Sequence, residues 1–209
     1  MKRPLLKICG ITSLEDARYA VRIGADAIGL ILYPESPRFI SLAKAIEIAA
    51  ALPEYIRKVA VTVNASQEEL TEIVASNRFN VIQLHGDEDV ETIQRLKRKI
   101  EVWKALTLRS AIECERAMTS PADCLVVDSR IPGCYGGTGM LCNWEYAAKL
   151  AAVRRVILAG GMTPENCIAA YQAVHPWGMD FNSGVETVPG KKNYNKLDAL
   201  FSCFQQRKN

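Results

Sequence analysis

Lys7 and Cys9 stand two residues apart at the end of the first apolar run, Leu5-Leu6-Lys7-Ile8-Cys9. In a β-strand that spacing puts both side chains on one face. A thiol titrates near 8.5 in water, and a neighbouring ammonium can draw it toward neutrality. A thiolate so placed is a base for removing a proton beside an iminium or carbonyl. The plain alternative is a small buried hydrophobe, as most interior cysteines are. Asp128 closes another apolar run, Leu125-Val126-Val127-Asp128. In a partly dry site it would stay protonated and act as a general acid; at a strand end it would equally cap the next turn.

Two glycine-bearing segments suggest a site for an anion. Gly160-Gly161 and Ser183-Gly184 follow the last two apolar runs, and exposed backbone amides in such positions cradle phosphate. Either segment alone is also an ordinary turn. Arg38, fixed behind Pro37, offers a bidentate grip on a carboxylate or is a solvated loop arginine. His85 shares a face with Gln83 and reads as a ligand-binding or a structural residue. Asp180 would accept a bond from a sugar hydroxyl or balance Lys7. The run Pro132-Gly133-Cys134-Tyr135-Gly136-Gly137-Thr138-Gly139 follows Asp128 closely and has the composition of a lid over the acid, or of a surface loop.

The elements that would hold these residues alternate. Strand patterns fall at residues 5–9, 27–32, 58–63, 81–84, 101–105, 124–128, 155–158 and 178–181. Helical patterns follow, clearest at 14–23, 42–51, 67–76, 90–98, 144–150, 164–174 and 195–204. Thr12 or Ser13, Ser66, and Thr163-Pro164-Glu165 mark helix starts. Eight β-then-α units predict a parallel sheet closed into a (β/α)₈ TIM barrel, an α/β fold whose lower size limit is about 200 residues. An open doubly wound sheet is the rival, but Cys9-Gly10-Ile11-Thr12 is no dinucleotide fingerprint. In a barrel the site lies at the C-terminal strand ends. There stand Cys9-Gly10, residues 34–38, Asn64, residues 83–86, Asp128-Ser129, Gly160-Gly161 and Asn182-Ser183-Gly184.

Composition narrows the class. The chain has 209 residues, 49% of them hydrophobic, and a formal charge of +3. That length fits one catalytic domain over residues 1–209. No basic stripe or aromatic platform points to nucleic acid. The N-terminus lacks a secretory h-region, and no apolar stretch approaches the roughly 20 residues of a membrane span, so a cytoplasmic location is expected. Seven cysteines without a Cys-x-x-Cys pair argue for thiols rather than disulfides. His85 and His175 lack metal-ligand spacing, so neither a metal nor a cofactor is expected. Monomer and homodimer both remain open.

The combination resembles the phosphoribosylanthranilate isomerases of tryptophan biosynthesis. The resemblance rests on Lys7-Ile8-Cys9-Gly10-Ile11-Thr12, Gly24-Ala25-Asp26-Ala27-Ile28-Gly29, Ser36-Pro37-Arg38, Val63-Asn64 and Gln83-Leu84-His85-Gly86-Asp87-Glu88. Asp128, Gly136-Gly137-Thr138-Gly139, Ala159-Gly160-Gly161, Ser183-Gly184-Val185-Glu186 and Pro189-Gly190 extend it along nearly the whole chain. It implies an Amadori rearrangement of N-(5′-phosphoribosyl)anthranilate to 1-(2-carboxyphenylamino)-1-deoxyribulose 5-phosphate. Asp128 matches the family's general acid and Cys9 its general base. Arg38 would hold the anthranilate carboxylate; Gly160, Gly161, Ser183 and Gly184 would hold the phosphate.

The chain departs from the family pattern at Thr62, where a bulkier apolar residue is common. It departs also at Cys142-Asn143, in place of Phe-Asp, and at Asn193, in place of Asp. Asn caps a helix about as well as Asp, whereas Cys142 loses volume that would pack the loop. Other readings are a pentose-phosphate epimerase, which needs more metal ligands, and a thiol-redox protein, which needs paired cysteines. A further alternative is a catalytically impaired barrel that binds a phosphorylated ligand and regulates. Such a descendant has no reason to keep Cys9, Asp128 and Arg38 together.

Overall fold

Residues 3–128 and 139–205 are described by a computed structural model, with the side chains at 139–143 and 205 outside the description. Eight strands follow one another in space as in sequence: β1 (Leu5–Ile8), β2 (Ala27–Ile31), β3 (Arg57–Thr62), β4 (Val81–Leu84), β5 (Glu101–Leu106), β6 (Cys124–Asp128), β7 (Val156–Ala159) and β8 (Gly178–Phe181). β8 pairs back onto β1 in parallel, with Lys7 opposite Asp180. That seam closes the sheet and removes the open doubly wound alternative. The fold is a (β/α)₈ barrel.

Each strand is buried on both faces, which is why the strands read as near-continuous apolar runs. One face fills the barrel interior with residues such as Val59, Val61, Trp103, Val126 and Ile157. The other face, with Leu6, Ile8, Leu30, Ile82 and Leu158, packs against the helices. Those helices are α1 (Leu14–Arg22), α2 (Leu42–Ala50), α3 (Gln67–Ala75), α4 (Val90–Lys97), α5 (Ala111–Met118), α6 (Gly139–Ala151), α7 (Cys167–Val174) and α8 (Tyr194–Gln205). Among the described residues no helix is long and apolar enough to cross a membrane.

Side chains set the helix starts. The Ser13 hydroxyl accepts from the Asp16 amide and opens α1. Ser66 and Glu69 form a reciprocal capping box on α3, satisfying two amides that lack intrahelical partners. Asn193 accepts from the Lys196 amide at 3.2 Å, so it caps α8 without the charge of Asp.

Three local features differ from the expectation. α7 begins at Cys167 rather than at residue 164. Thr163 Oγ1 accepts from the Glu165 amide, and Asn166 Oδ1 accepts from the Thr163 amide at 2.9 Å. Such local bonds offer the backbone a turn in place of a first helical turn. α5 was not among the clear patterns, because it buries only Cys114 and Ala117. A hairpin of β9 (Glu186–Val188) and β10 (Lys191–Lys192), preceded by a 3₁₀ turn at Ser183–Val185, intervenes between β8 and α8. The glycine-rich run 132–139, read as a lid, falls at 132–138 outside the described residues, as do Ser129 and the side chains of Cys142 and Asn143.

Thr62 ends β3 on the helix-facing side and is buried, and its hydroxyl has no hydrogen-bond partner among the described residues. An unpaired buried hydroxyl costs more than a methyl of the same shape. Thr62→Val is therefore expected to stabilise the fold by about 1 kcal/mol, raising the melting temperature by about 2–4 °C at this size. Differential scanning calorimetry checks it; a lower melting temperature would contradict this reading of Thr62.

Candidate active site

The seam between β1 and β8 sets the chemistry of the barrel mouth. Lys7 and Asp180 are register partners, and Nζ lies 2.6 Å from Oδ2. Lys7 is wholly buried. Burial alone would discharge its ammonium and is the largest single influence, but the charge and hydrogen bond of Asp180, together with those of Cys9, outweigh it and hold the Lys7 pKa above its ordinary value. Asp180 thus balances Lys7. Its second oxygen, Oδ1, is buried without a partner among the described residues, and Asp180 lines the pocket above.

Cys9 follows on the same inward face and is 4% exposed. Gly29 on β2 makes room for it: a Cβ there would stand 2.6 Å from the Cys9 sulfur and 3.1 Å from Lys7 Cε. The thiol does not behave as the Lys7–Cys9 spacing suggested. Burial pushes its pKa up and outweighs the pull of Lys7, while the Asp180 charge pushes it further up. The expected shift toward neutrality fails because the thiol is buried and the ammonium is shared with a carboxylate.

Above this layer opens a cavity of about 280 Å³. It is lined by Cys9, Arg38, His85, Asp128, Gly160, Gly161, Asp180, Ser183 and Gly184, so all nine candidate residues meet in one place. Gly160 and Gly161 both carry positive φ, +81° and +68°, a region open to glycine at little cost. Their lack of side chains leaves backbone facing the cavity beside Ser183 and Gly184.

Arg38 is not a solvated loop arginine. Its Nε and Nη2 donate to the Glu186 carboxylate, the latter at 2.6 Å, and its side chain is 16% exposed. His85 sits at the rim, where burial by surrounding protein lowers its pKa. Asn64, a strand-end candidate, does not line the cavity. It holds loops instead: its Oδ1 accepts from the Asp87 amide, and its own amide donates to Glu88. Lys104 donates to Glu88 and to the Gly86 carbonyl, pinning the loop that carries His85. Tyr33, Gln83, Asn182 and Met162 are among the other lining residues.

Residues 6–203 match the family model described as N-(5'phosphoribosyl)anthranilate (PRA) isomerase. The chain belongs to this family. It is 41% identical over 191 residues to the N-(5'-phosphoribosyl)anthranilate isomerase of Thermotoga neapolitana, covering 91% of this chain and 93% of that one. The crystal structure of the phosphoribosyl anthranilate isomerase of Thermotoga maritima superposes with a TM-score of 0.89 at 35% identity, covering 98% of this chain and 100% of that one. A further structure of the family holds reduced 1-(o-carboxyphenylamino)-1-deoxyribulose 5-phosphate; it has a TM-score of 0.83 at 32% identity and covers 98% and 100% of the two chains.

Two of the departures from the family pattern can be placed. Thr62 faces the helices, away from the cavity, and Asn193 lies at the start of α8. Neither replaces a residue that lines the site.

Proposed function

We propose that this family member isomerises N-(5′-phosphoribosyl)anthranilate to 1-(2-carboxyphenylamino)-1-deoxyribulose 5-phosphate, with Asp128 as acid and Cys9 as base. The observation that carries it is the convergence of two proton-transfer groups, a carboxylate-matched guanidinium and side-chain-free backbone on one cavity. Asp128 gives its proton to the furanose ring oxygen. The C1′–O bond breaks, and the anilino nitrogen's lone pair makes the iminium. The Cys9 thiolate takes the C2′ proton, its C–H electrons neutralise the iminium, and an enolamine results. Protonation at C1′ with loss of the enol proton then gives the ketone.

The burial that disfavours a Cys9 thiolate is offset when an iminium cation forms beside it. Asp180 Oδ1 accepts a bond from a sugar hydroxyl, and His85 holds the substrate at the rim. Gly160, Gly161, Ser183 and Gly184 take the phosphate, and Arg38 takes the anthranilate carboxylate. The protein works as a monomer or a homodimer. Residues 1–209 act as one catalytic domain in the cytoplasm.

A continuous assay tests this, following loss of the fluorescence of substrate generated in place, with chelator added. Turnover that resists chelator supports the reading; binding of the phosphorylated ligand without turnover would overturn it.

The raised Cys9 pKa predicts how the thiol's reactivity depends on pH. Alkylation of Cys9 by iodoacetamide, followed by peptide mass spectrometry, needs the thiolate, so its rate rises about tenfold per pH unit across neutrality and keeps rising past the ordinary thiol value of about 8.5. An alkylation rate that levels off below pH 8.5 would contradict the raised thiol pKa.

A further inference from the structure

Glu186 is the best-connected carboxylate around the cavity, yet it does not line it. It is buried at the start of β9. Arg38 donates to it through Nε at 2.9 and 3.1 Å and through Nη2 at 2.6 Å. Lys192 Nζ donates at 2.8 Å and the Gly190 amide at 3.2 Å. Burial opposes the charged carboxylate, but the bonds from Arg38 and Lys192 win and hold Glu186 below its ordinary range.

This arrangement uses one edge of the guanidinium. An arginine has five N–H donors in two forks. Glu186 occupies the Nε–Nη2 fork, while Nη1 makes no hydrogen bond among the described residues. Arg38 lines the cavity, and Glu186 leaves the Nη1–Nη2 edge of its guanidinium open to a second carboxylate. The cluster of Arg38, Glu186 and Lys192 also keeps one net positive charge.

We infer that Glu186 is a positioning residue for selectivity: it orients Arg38 so that carboxylate-bearing aryl-amine substrates are preferred over those without the carboxylate. This rests on Arg38 receiving the anthranilate carboxylate. Removing the Glu186 charge does not simply make the cluster more attractive to anions. Lys192 is buried, burial already lowers its pKa, and Glu186 is its chief support. Without that carboxylate the balance at Lys192 shifts further toward the neutral amine, and the lost orientation of a flexible arginine remains as the main effect.

The test compares two substrates: phosphoribosylanthranilate and its carboxylate-free analogue made from aniline and ribose 5-phosphate. The readout is the ratio of their kcat/KM values in wild type, Glu186→Gln, Glu186→Asp and Arg38→Met. Glu186→Gln is expected to lower that ratio at least tenfold, mainly through KM for the anthranilate substrate. Arg38→Met should lower it at least as far. Glu186→Asp, which keeps the charge but shortens the reach, should fall between wild type and Glu186→Gln, and it serves as the test if the glutamine variant does not fold. An unchanged ratio in both Glu186 variants, with a collapsed ratio in Arg38→Met, would overturn the role of Glu186 alone. An unchanged ratio in Arg38→Met would overturn the carboxylate grip and this inference with it. Absence of turnover of phosphoribosylanthranilate by wild type would instead defeat the isomerase reading beneath both.

Discussion

Cys9→Ala is expected to lower kcat by about a hundredfold to ten-thousandfold, the usual contribution of a positioned proton-transfer group. The substitution removes the one inward-facing thiol that lines the cavity among the described residues and leaves the Lys7–Asp180 pair behind it. Loss of one small sulfur atom costs little in the fold. The glycines of the β7 loop and Ser183-Gly184 are untouched, so affinity for a phosphorylated product analogue should change by no more than a few-fold. Stopped-flow single turnovers alongside calorimetric titration of the analogue separate the two quantities. Near-normal turnover would remove Cys9 from the role of base, and loss of binding would mean that the thiol matters mainly for the shape of the cavity.

Asp128→Asn carries the second large effect. The amide keeps nearly the same shape at the end of β6 but cannot give a proton to the ring oxygen. A drop in kcat of about a hundredfold to ten-thousandfold is expected, again with analogue binding kept. Acid and base act in successive steps on one substrate, so the double variant should lose much less than the product of the single losses. A multiplicative loss would argue that the two side chains contribute independently, as packing residues would. Kinetics of the three variants under one set of conditions decides it.

Much of this was legible in the sequence for one physical reason. Strands buried on both faces and helices with one apolar stripe leave different periodicities, and alternation then assigns inward residues. Lys7 and Cys9 on one face, Gln83 and His85 on another, and Asp128 at a strand end were all readable in that way. The seam was legible as one of two alternatives, Asp180 balancing Lys7, and the structure pairs them across 173 positions. The cost of burying the Cys9 thiol was not, because the spacing of Lys7 and Cys9 shows a neighbouring charge but not how dry the seam is. Nor was the partner of Arg38, Glu186, which lies 148 positions on. The segment Ser183-Gly184-Val185-Glu186 was visible as a motif, but the bond that gives its glutamate a use exists only after β8 closes on β1 and the hairpin folds over. α5 leaves only a weak pattern because its buried face is two small residues, Cys114 and Ala117, which give little contrast with the exposed side. Thr163-Pro164-Glu165 looked like a helix start because its residue types suit one, while the bond from the Thr163 amide to Asn166 delays the helix by three residues.

The measurement that bears most directly on the proton-transfer mechanism is the isotopic composition of the product formed in D₂O. Removal of the C2′ proton by Cys9, followed by protonation of the enolamine at C1′, predicts one carbon-bound deuterium at C1′ after work-up in ordinary water. Product with no carbon-bound deuterium in wild type and in Cys9→Ala alike would mean that hydrogen passes from C2′ to C1′ without help from the thiol or solvent, which contradicts the acid–base path assigned to Cys9 and Asp128.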